Sequence, residues 1–92
     1  MIVSFRNKGL QELFESGRSR SIRSDLQKRC LLRLDSLELA GSLNELDVPA
    51  YRLHPLLGHS PTRHAIKVSG PWRITFEWTD DGPANVDLEQ YH

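Results

Sequence analysis

The segment Trp72-Arg73-Ile74-Thr75-Phe76-Glu77-Trp78 is the most regular stretch of the chain. Large apolar side chains alternate in it with polar ones, and neighbouring side chains of a β-strand point to opposite faces. The segment therefore predicts a strand with one apolar and one polar face. Burying one such apolar side chain contributes about 1.5–3 kcal/mol, so we expect the apolar row to pack against helices and Arg73 to point away from them.

Three further segments around this strand have strand composition, namely residues 51–57, 64–68 and 84–90. Turns rich in Gly, Pro, Asp and Ser separate them, and such short turns favour antiparallel hairpins. In the last segment Val86 and Leu88 are the predicted core pair, which leaves Asn85, Asp87, Glu89 and, if the alternation continues, Tyr91 on the open face. The C-terminal half therefore predicts an antiparallel meander.

The N-terminal half has helical periodicity after a short segment, residues 2–5, that has strand composition. Asn7 is a predicted cap for a first helix that Gly17 ends. A longer helix begins at Ser21 or at Ser24, where a capping box is predicted, and ends before Gly41. Its predicted core residues are Leu26, Cys30, Leu34 and Leu37. A second capping box, residues 42–45, predicts one more helical turn.

These elements predict an α+β fold: an N-terminal strand, two helices, then an antiparallel β-meander with the helices packed on one face of the sheet. A chain of 92 residues supports one hydrophobic core, so we expect residues 1–92 to form a single domain. The sequence has no apolar run of membrane-spanning length and no signal-peptide pattern at its start, which predicts a cytoplasmic protein without membrane contact. The single cysteine, Cys30, excludes an internal disulfide.

Charge is divided unevenly along the chain although the net charge is zero. Residues 1–34 contain eight Lys or Arg and three Asp or Glu, a balance of +5, whereas residues 35–92 contain four and nine, a balance of −5. The basic residues of the longer helix and its connector are a solvated helix face in one interpretation. In the other they form a basic surface that binds an acidic partner. Both interpretations stay open.

The open face of the predicted sheet is the candidate site, because residues from several strands converge there. Arg73 and Tyr91 are predicted to share it, and His54 and His92 are close enough in the pattern to reach it. Each alone has an ordinary structural explanation: a surface histidine, a frayed chain end, or an arginine paired with Glu77. The occurrence of these four residues together is what indicates a catalytic site.

Several landmarks of the chain resemble one family in order and spacing. They are Leu53-His54-Pro55-Leu56 followed by Gly58, then Ile66-Lys67-Val68, Trp72-Arg73-Ile74-Thr75-Phe76, and Val86 through the terminal Tyr91-His92. In these the sequence resembles the HigB family of bacterial toxin-antitoxin toxins, within the RelE superfamily. The resemblance covers nearly the whole chain.

The resemblance implies a ribosome-dependent mRNA endonuclease that needs no metal or other cofactor and is held inactive by a HigA-type antitoxin, a helix-turn-helix protein. Contact with operator DNA would be indirect, through that antitoxin. Arg73 matches the family arginine that neutralises the phosphate, and His92 the terminal catalytic histidine. Tyr91 would stack on a base, and His54 matches a further active-site histidine.

Two positions depart from the family pattern: Leu57 stands where many relatives carry lysine, and Gln90 where they often carry aspartate. These departures motivate an alternative, a catalytically impaired toxin-like module that binds the antitoxin and contributes to operon regulation. A third hypothesis, a metal-dependent hydrolase using His54, His59 and His64, is disfavoured because their spacing fits no usual ligand motif. We favour the active enzyme, since Arg73, Tyr91 and His92 occur together.

Overall fold

The computed structural model describes residues 1–90, which form two α-helices and a four-stranded antiparallel sheet. The helices and strands are α1 (Lys8–Ser16), α2 (Gln27–Leu39), β1 (His54–Leu56), β2 (Arg63–Ser69), β3 (Trp72–Thr79) and β4 (Gly82–Gln90). Short 3-10 turns cover Ser24–Leu26, Leu43–Leu46 and Pro49–Tyr51. The strands lie in the sheet in chain order, so the predicted α+β class and the meander are confirmed. Within the described residues, no helix has the length and apolar character that a membrane span needs.

Both ends of α1 form as the sequence predicts. The side chain of Asn7 accepts a hydrogen bond from the Leu10 backbone N–H at 3.0 Å, which caps the first turn. At the other end Gly17 adopts a left-handed conformation with φ 87°, and its N–H donates to the Leu13 carbonyl. Glycine suits this position because it has no Cβ to clash there.

The start of α2 differs from the prediction. The helix begins at Gln27, because Ser24–Leu26 forms a 3-10 turn and no side chain caps it. The predicted capping box does not form: the Gln27 side-chain amide donates to the carbonyls of Ser19 and Ile22, at 2.8 and 2.9 Å. Gln27 therefore ties the helix to the preceding connector. The second predicted box does not form either, since the Ser42 side chain makes no cap bond and Glu45 accepts from the Gly41 N–H at 3.0 Å, but the predicted helical turn follows as a 3-10 turn.

The two helices cover one face of the sheet, as predicted. Ile74 and Phe76 of β3 have no exposed surface, whereas Trp72 and Trp78 are half-buried at the two ends of the strand. The four predicted core residues of the longer helix are all buried, Leu26 in the preceding 3-10 turn and the other three in α2, and they join residues of α1 and β4 in one cluster. Its fully buried members from the helices and strands include Leu10, Leu13, Cys30, Leu34, Leu37, Ile66, Ile74, Phe76 and Val86.

The predicted N-terminal strand is not found. Residues 3–6 run beside β4 with the Val3 N–H donating to Pro83 at 2.7 Å and the Val86 N–H donating to Ser4 at 3.1 Å. They nevertheless form only an isolated parallel bridge between Phe5 and Val86. The reason lies in β4, where the register shifts and Asn85 has φ 51°. Such a bulge interrupts the regular spacing of donors and acceptors that a continuous ladder needs.

The first predicted strand of the meander is also shorter than expected, covering His54–Leu56 instead of residues 51–57. Pro49–Tyr51 closes a 3-10 turn, and Arg52 then takes a left-handed conformation with φ 49°, which is incompatible with an extended strand. Pro55 inside the strand has no N–H to give to a ladder, which suits a short edge strand. The other three strands agree with the prediction to within two residues at each end.

Candidate functional site

The sheet register places two of the candidate residues on the same face. His54 pairs with Ala65, and Ala65 with Thr75, so His54 lies on the Thr75 face of the sheet. Arg73 stands two positions before Thr75 on β3 and shares that face. The helices pack on the opposite face, so Arg73 and His54 project from the side that the helices leave uncovered.

Arg73 is half-buried and held by the backbone near the β2–β3 turn. Its Nη1 donates to the Gly70 carbonyl at 2.7 Å and to the Trp72 carbonyl at 3.0 Å. These bonds fix the guanidinium plane. A planar guanidinium held in a defined orientation is the type of group that recognises a phosphate.

His54 is half-buried at the start of β1, and its ring is oriented by the chain itself. The Nδ1 atom lies 2.8 Å from the Arg52 carbonyl oxygen. A carbonyl can only accept, so Nδ1 carries a proton and Nε2 holds the lone pair of the neutral ring. Arg52, whose carbonyl oxygen orients the ring, has a left-handed conformation with φ 49°. His54 is therefore presented in one defined tautomer.

The other two candidates, Tyr91 and His92, lie outside the described residues. The described part of β4 ends at Gln90, which pairs with Trp72, the residue before Arg73. The chain thus approaches its C-terminus at the end of the sheet where Arg73 lies.

Sequence reasoning missed a buried arginine on the same face. Arg63 has 2% of its surface exposed, although it is charged and lies on the side away from the helices. Its Nη1 donates to the Glu77 carboxylate at 3.1 Å, and its Nη2 donates to the Thr75 hydroxyl and the Asn85 carbonyl, each at 2.9 Å. Polar contacts thus bury Arg63 at the centre of the face that the helices leave uncovered. Thr75 is buried there as well.

Glu77 is the acidic centre of this buried network. Besides Arg63, the Asn85 side-chain amide donates to it at 3.1 Å, and an Arg6 nitrogen lies 4.0 Å away. A buried charge is costly unless it is paired and hydrogen-bonded, and here both charges are. The predicted strand covers residues 64–68, so it does not include Arg63, the first residue of β2. The signal was available, because Arg63, Ala65 and Lys67 alternate with the apolar residues of β2.

Among the described residues, two groups have shifted pKa values, and both lie on the helix side. Burial raises the pKa of the Cys30 thiol to about 11, against a smaller opposing effect of the Arg33 charge. Burial also lowers the pKa of His64, whose ring lies against Phe76 with centroids 5.8 Å apart. His64 thus belongs to the helix side, as its position in the alternation predicted. Among residues 1–90, no three His, Cys, Asp or Glu side chains are grouped so that they could hold a metal ion.

Part of the basic surface of the first half is used within the chain. Arg33 donates from Nε to the Lys67 carbonyl at 2.9 Å and lies over the Tyr51 ring at 4.4 Å. Arg29 donates to the Val68 carbonyl at 3.5 Å. These carbonyls lie on the part of β2 beyond β1, so the arginines satisfy an edge that no strand pairs within the described sheet. Arg18 and Arg20 instead line an open cleft of about 730 Å³ beside α1.

The fold and this face together define a class: a small α+β protein with helices on one side of a meander and arginine and histidine on the other, as in RelE-like toxins. The family model described as "RelE-like toxin of type II toxin-antitoxin system HigB" matches residues 3–92. The chain therefore belongs to the HigB-like toxin family of type II toxin-antitoxin systems, and such a toxin has an antitoxin as its partner.

Two curated relatives agree with this assignment along their full length. The chain is 36% identical over 92 residues to "Endoribonuclease HigB" of Proteus vulgaris, covering 100% of both sequences. It is 27% identical over 93 residues to "Toxin HigB-1" of Vibrio cholerae serotype O1, covering 99% of this chain and 98% of the relative.

Proposed function

We propose that this chain is a metal-independent endoribonuclease that cuts messenger RNA in the decoding site of the ribosome and is neutralised by a HigA-type antitoxin. The observation that carries the proposal is the face shared by Arg73 and His54, beside the strand that leads into Tyr91 and His92. Membership of the HigB-like family and the name of the Proteus vulgaris relative support it. The protein acts in the cytoplasm, where ribosomes translate.

Cleavage by this route needs three functions. The ribose 2′-hydroxyl loses a proton as it attacks the adjacent phosphate, the phosphate charge is neutralised, and the 5′ oxygen gains a proton as it leaves. Arg73 neutralises the phosphate. His92, whose side-chain type titrates near neutrality, transfers a proton, and His54 is a second acid/base group or a phosphate contact. Tyr91 stacks on an unstacked base and so orients the nucleotide.

The test uses purified protein, programmed ribosomes and end-labelled messenger RNA, beside the same RNA without ribosomes. Wild type is expected to cut only when ribosomes are present, and His92→Ala is expected to lose the cut. Leu39→Ser, an exposed position on α2 far along the chain from the site, is the matched control and is expected to cut as wild type does. Intact RNA in every lane would refute the proposal.

One observation favours a second candidate, the catalytically impaired binding module. Leu57, which stands where the resemblance implies a lysine, is 94% exposed. An exposed leucine suits contact with a protein better than contact with a phosphate. Under this alternative the chain binds a HigA-type antitoxin, helps it to act on operator DNA, and does not arrest growth when expressed alone. Growth arrest that requires His92 would exclude it.

A further inference from the structure

The buried network around Arg63 fixes the direction of one hydroxyl. Arg63 can only donate, so the Thr75 Oγ1 atom accepts its hydrogen bond at 2.9 Å. The Thr75 proton must then point elsewhere, and it is donated to the Glu89 carboxylate oxygen Oε2. The order of donation therefore runs from Arg63 through Thr75 to Glu89. Hydrogen bonds linked in this way polarise and strengthen one another.

Glu89 is an exposed residue of β4 whose carboxylate is nevertheless held in place by this contact. The Thr75 hydroxyl occupies Oε2, and no described residue donates to Oε1. A carboxylate with one oxygen anchored and the other facing solvent is suited to accept a proton from a bound molecule.

Glu89 also stands beside the phosphate-binding candidate. The two residues Arg73 and Glu89 are direct partners in the antiparallel β3–β4 ladder. Side chains of directly opposed residues project from the same face with Cβ atoms about 4.5–5.5 Å apart. A phosphate bound by Arg73 would bring the adjoining ribose into the neighbourhood of Oε1.

We propose that Glu89 is the proton acceptor of the cleavage reaction and that Thr75 and Arg63 are positioning residues that orient its carboxylate. This inference rests on the proposed endoribonuclease function. The 2′-hydroxyl gives its proton to Oε1 while its oxygen forms a bond to phosphorus. The bond from phosphorus to the 5′ oxygen breaks, the product ends in a 2′,3′-cyclic phosphate, and the 5′ oxygen takes a proton from His92.

The central test is Glu89→Gln, which keeps an oxygen for Thr75 to donate to but cannot accept the proton. Single-turnover cleavage of messenger RNA on programmed ribosomes is measured against protein concentration. A lost general base costs about 10²–10⁴-fold in rate. We expect a loss of at least about 100-fold in the maximal rate constant, with the half-saturating concentration changed by less than about threefold.

Asp87→Asn is the matched control, because it removes one carboxylate from the same strand and the same face, and the Asp87 side chain bonds to the Leu88 N–H and not to Glu89. This variant is expected to cut at the wild-type rate. That result would show that slow cleavage by Glu89→Gln reflects the loss of a proton acceptor and not the loss of a negative charge. Glu89→Gln cutting within threefold of wild type would overturn the inference and leave the endoribonuclease function standing. Absence of cutting by wild type would instead refute that function, and the inference with it.

A second series tests the positioning residues. Thr75→Val removes the hydroxyl while keeping the shape, and Thr75→Ser retains it. We expect the valine variant to lose maximal rate without a change in half-saturation, and the serine variant to recover most of that rate. Equal loss in both variants, with Glu89→Gln unimpaired, would show that the contact serves only the fold.

A modified RNA with sulfur in place of the 5′ bridging oxygen distinguishes the acceptor from the donor. Sulfur leaves without being protonated, so such a substrate relieves a variant that lacks the general acid. We expect the His92→Ala variant to regain cleavage rate on this sulfur-containing RNA and the Glu89→Gln variant to cut it slowly. Relief of Glu89→Gln by this substrate would place Glu89 on the leaving-group side and contradict the proposal.

Discussion

The two faces of the same sheet are built by different physical rules. On the helix side, Ile74 and Phe76 are fully buried among aliphatic residues of both helices. On the other side, Thr75 and Arg63 are as well buried as the core, yet their neighbours are charged and hydrogen-bonded. The first face is stabilised by the removal of apolar surface from water, and the second by a small number of specific pairs.

The difference between the two faces indicates where functional residues can lie in so small a fold. The apolar face tolerates exchange of one hydrophobic side chain for another of similar volume. The polar face has less freedom, because each buried group needs its partner. The sheet can thus carry Arg73 and His54 on its polar side, where backbone carbonyls orient them, while the opposite face buries most of the apolar surface.

The largest effect is expected from truncating the apolar face. Phe76→Ala removes a side chain with no exposed surface from the centre of the core. Such truncations typically cost about 3–5 kcal/mol through lost burial and the cavity left behind. Urea unfolding followed by circular dichroism is expected to show a loss in that range. A loss below about 1 kcal/mol would mean that the core is not organised around β3.

The polar face is expected to respond differently to single and double changes. Glu77→Leu leaves the Arg63 cation buried without its carboxylate, which is expected to cost about 3 kcal/mol or more in the free energy of unfolding. The double variant Arg63→Met with Glu77→Leu removes both charges, and we expect it to lie within about 1 kcal/mol of wild type. If urea unfolding showed that the double variant loses as much unfolding free energy as the two single variants together, the paired network would be contradicted.

A smaller effect is expected from Cys30 in alkaline solution. Burial holds the thiol pKa at about 11 in the folded chain against an ordinary value of 9.0, so the unfolded chain ionises first. The stability that this neutral thiol contributes is complete below about pH 9 and is lost as pH rises toward 11. The loss is roughly 2–3 kcal/mol, at 1.36 kcal/mol per pKa unit.

Cys30→Ala provides the comparison, because other groups also titrate in alkali. We expect the free energy of unfolding to fall less between pH 8.5 and 10.5 in this variant than in wild type. An identical fall in the two proteins would mean that the thiol is accessible to solvent in the folded chain.

The smallest effect is expected from His64, the titratable residue on the apolar face. Its pKa is lowered by burial, so the folded chain favours the neutral ring. The stability linked to this shift is present above the unfolded value of about 6.5 and is lost as pH falls below it. His64→Gln is expected to reduce the loss of unfolding free energy between pH 7 and pH 5. A larger loss in that variant would contradict the assignment.

The sequence predicted the apolar face better than the polar one. Alternation in β3 and helical spacing in α2 are repeated signals, so errors in a helix start left the core assignment of Leu26, Cys30, Leu34 and Leu37 intact. The network of Arg63 depends on which strand residues stand opposite each other, and no local pattern specifies that register. The expected N-terminal strand failed for the same reason, because the bulge at Asn85 is a property of the assembled sheet.

The geometry of the candidate site was likewise predictable only in part. Parity placed Arg73 away from the helices, and the structure agrees. The His54 ring is oriented by the carbonyl of Arg52, and the Glu89 carboxylate of β4 is held by Thr75 of the neighbouring strand β3. Neither leaves a signal in the composition or in the periodicity.

One paired measurement tests directly whether Arg73 on the polar face serves the activity while Phe76 in the apolar core serves the stability. Ribosome-dependent cleavage and urea unfolding are measured on Arg73→Ala and Phe76→Leu. The account predicts that Arg73→Ala loses about 10²–10³-fold in cleavage rate with nearly wild-type stability, whereas Phe76→Leu loses about 1 kcal/mol of stability and retains cleavage per folded molecule. Wild-type cleavage by Arg73→Ala, or parallel losses of rate and stability in both variants, would contradict it.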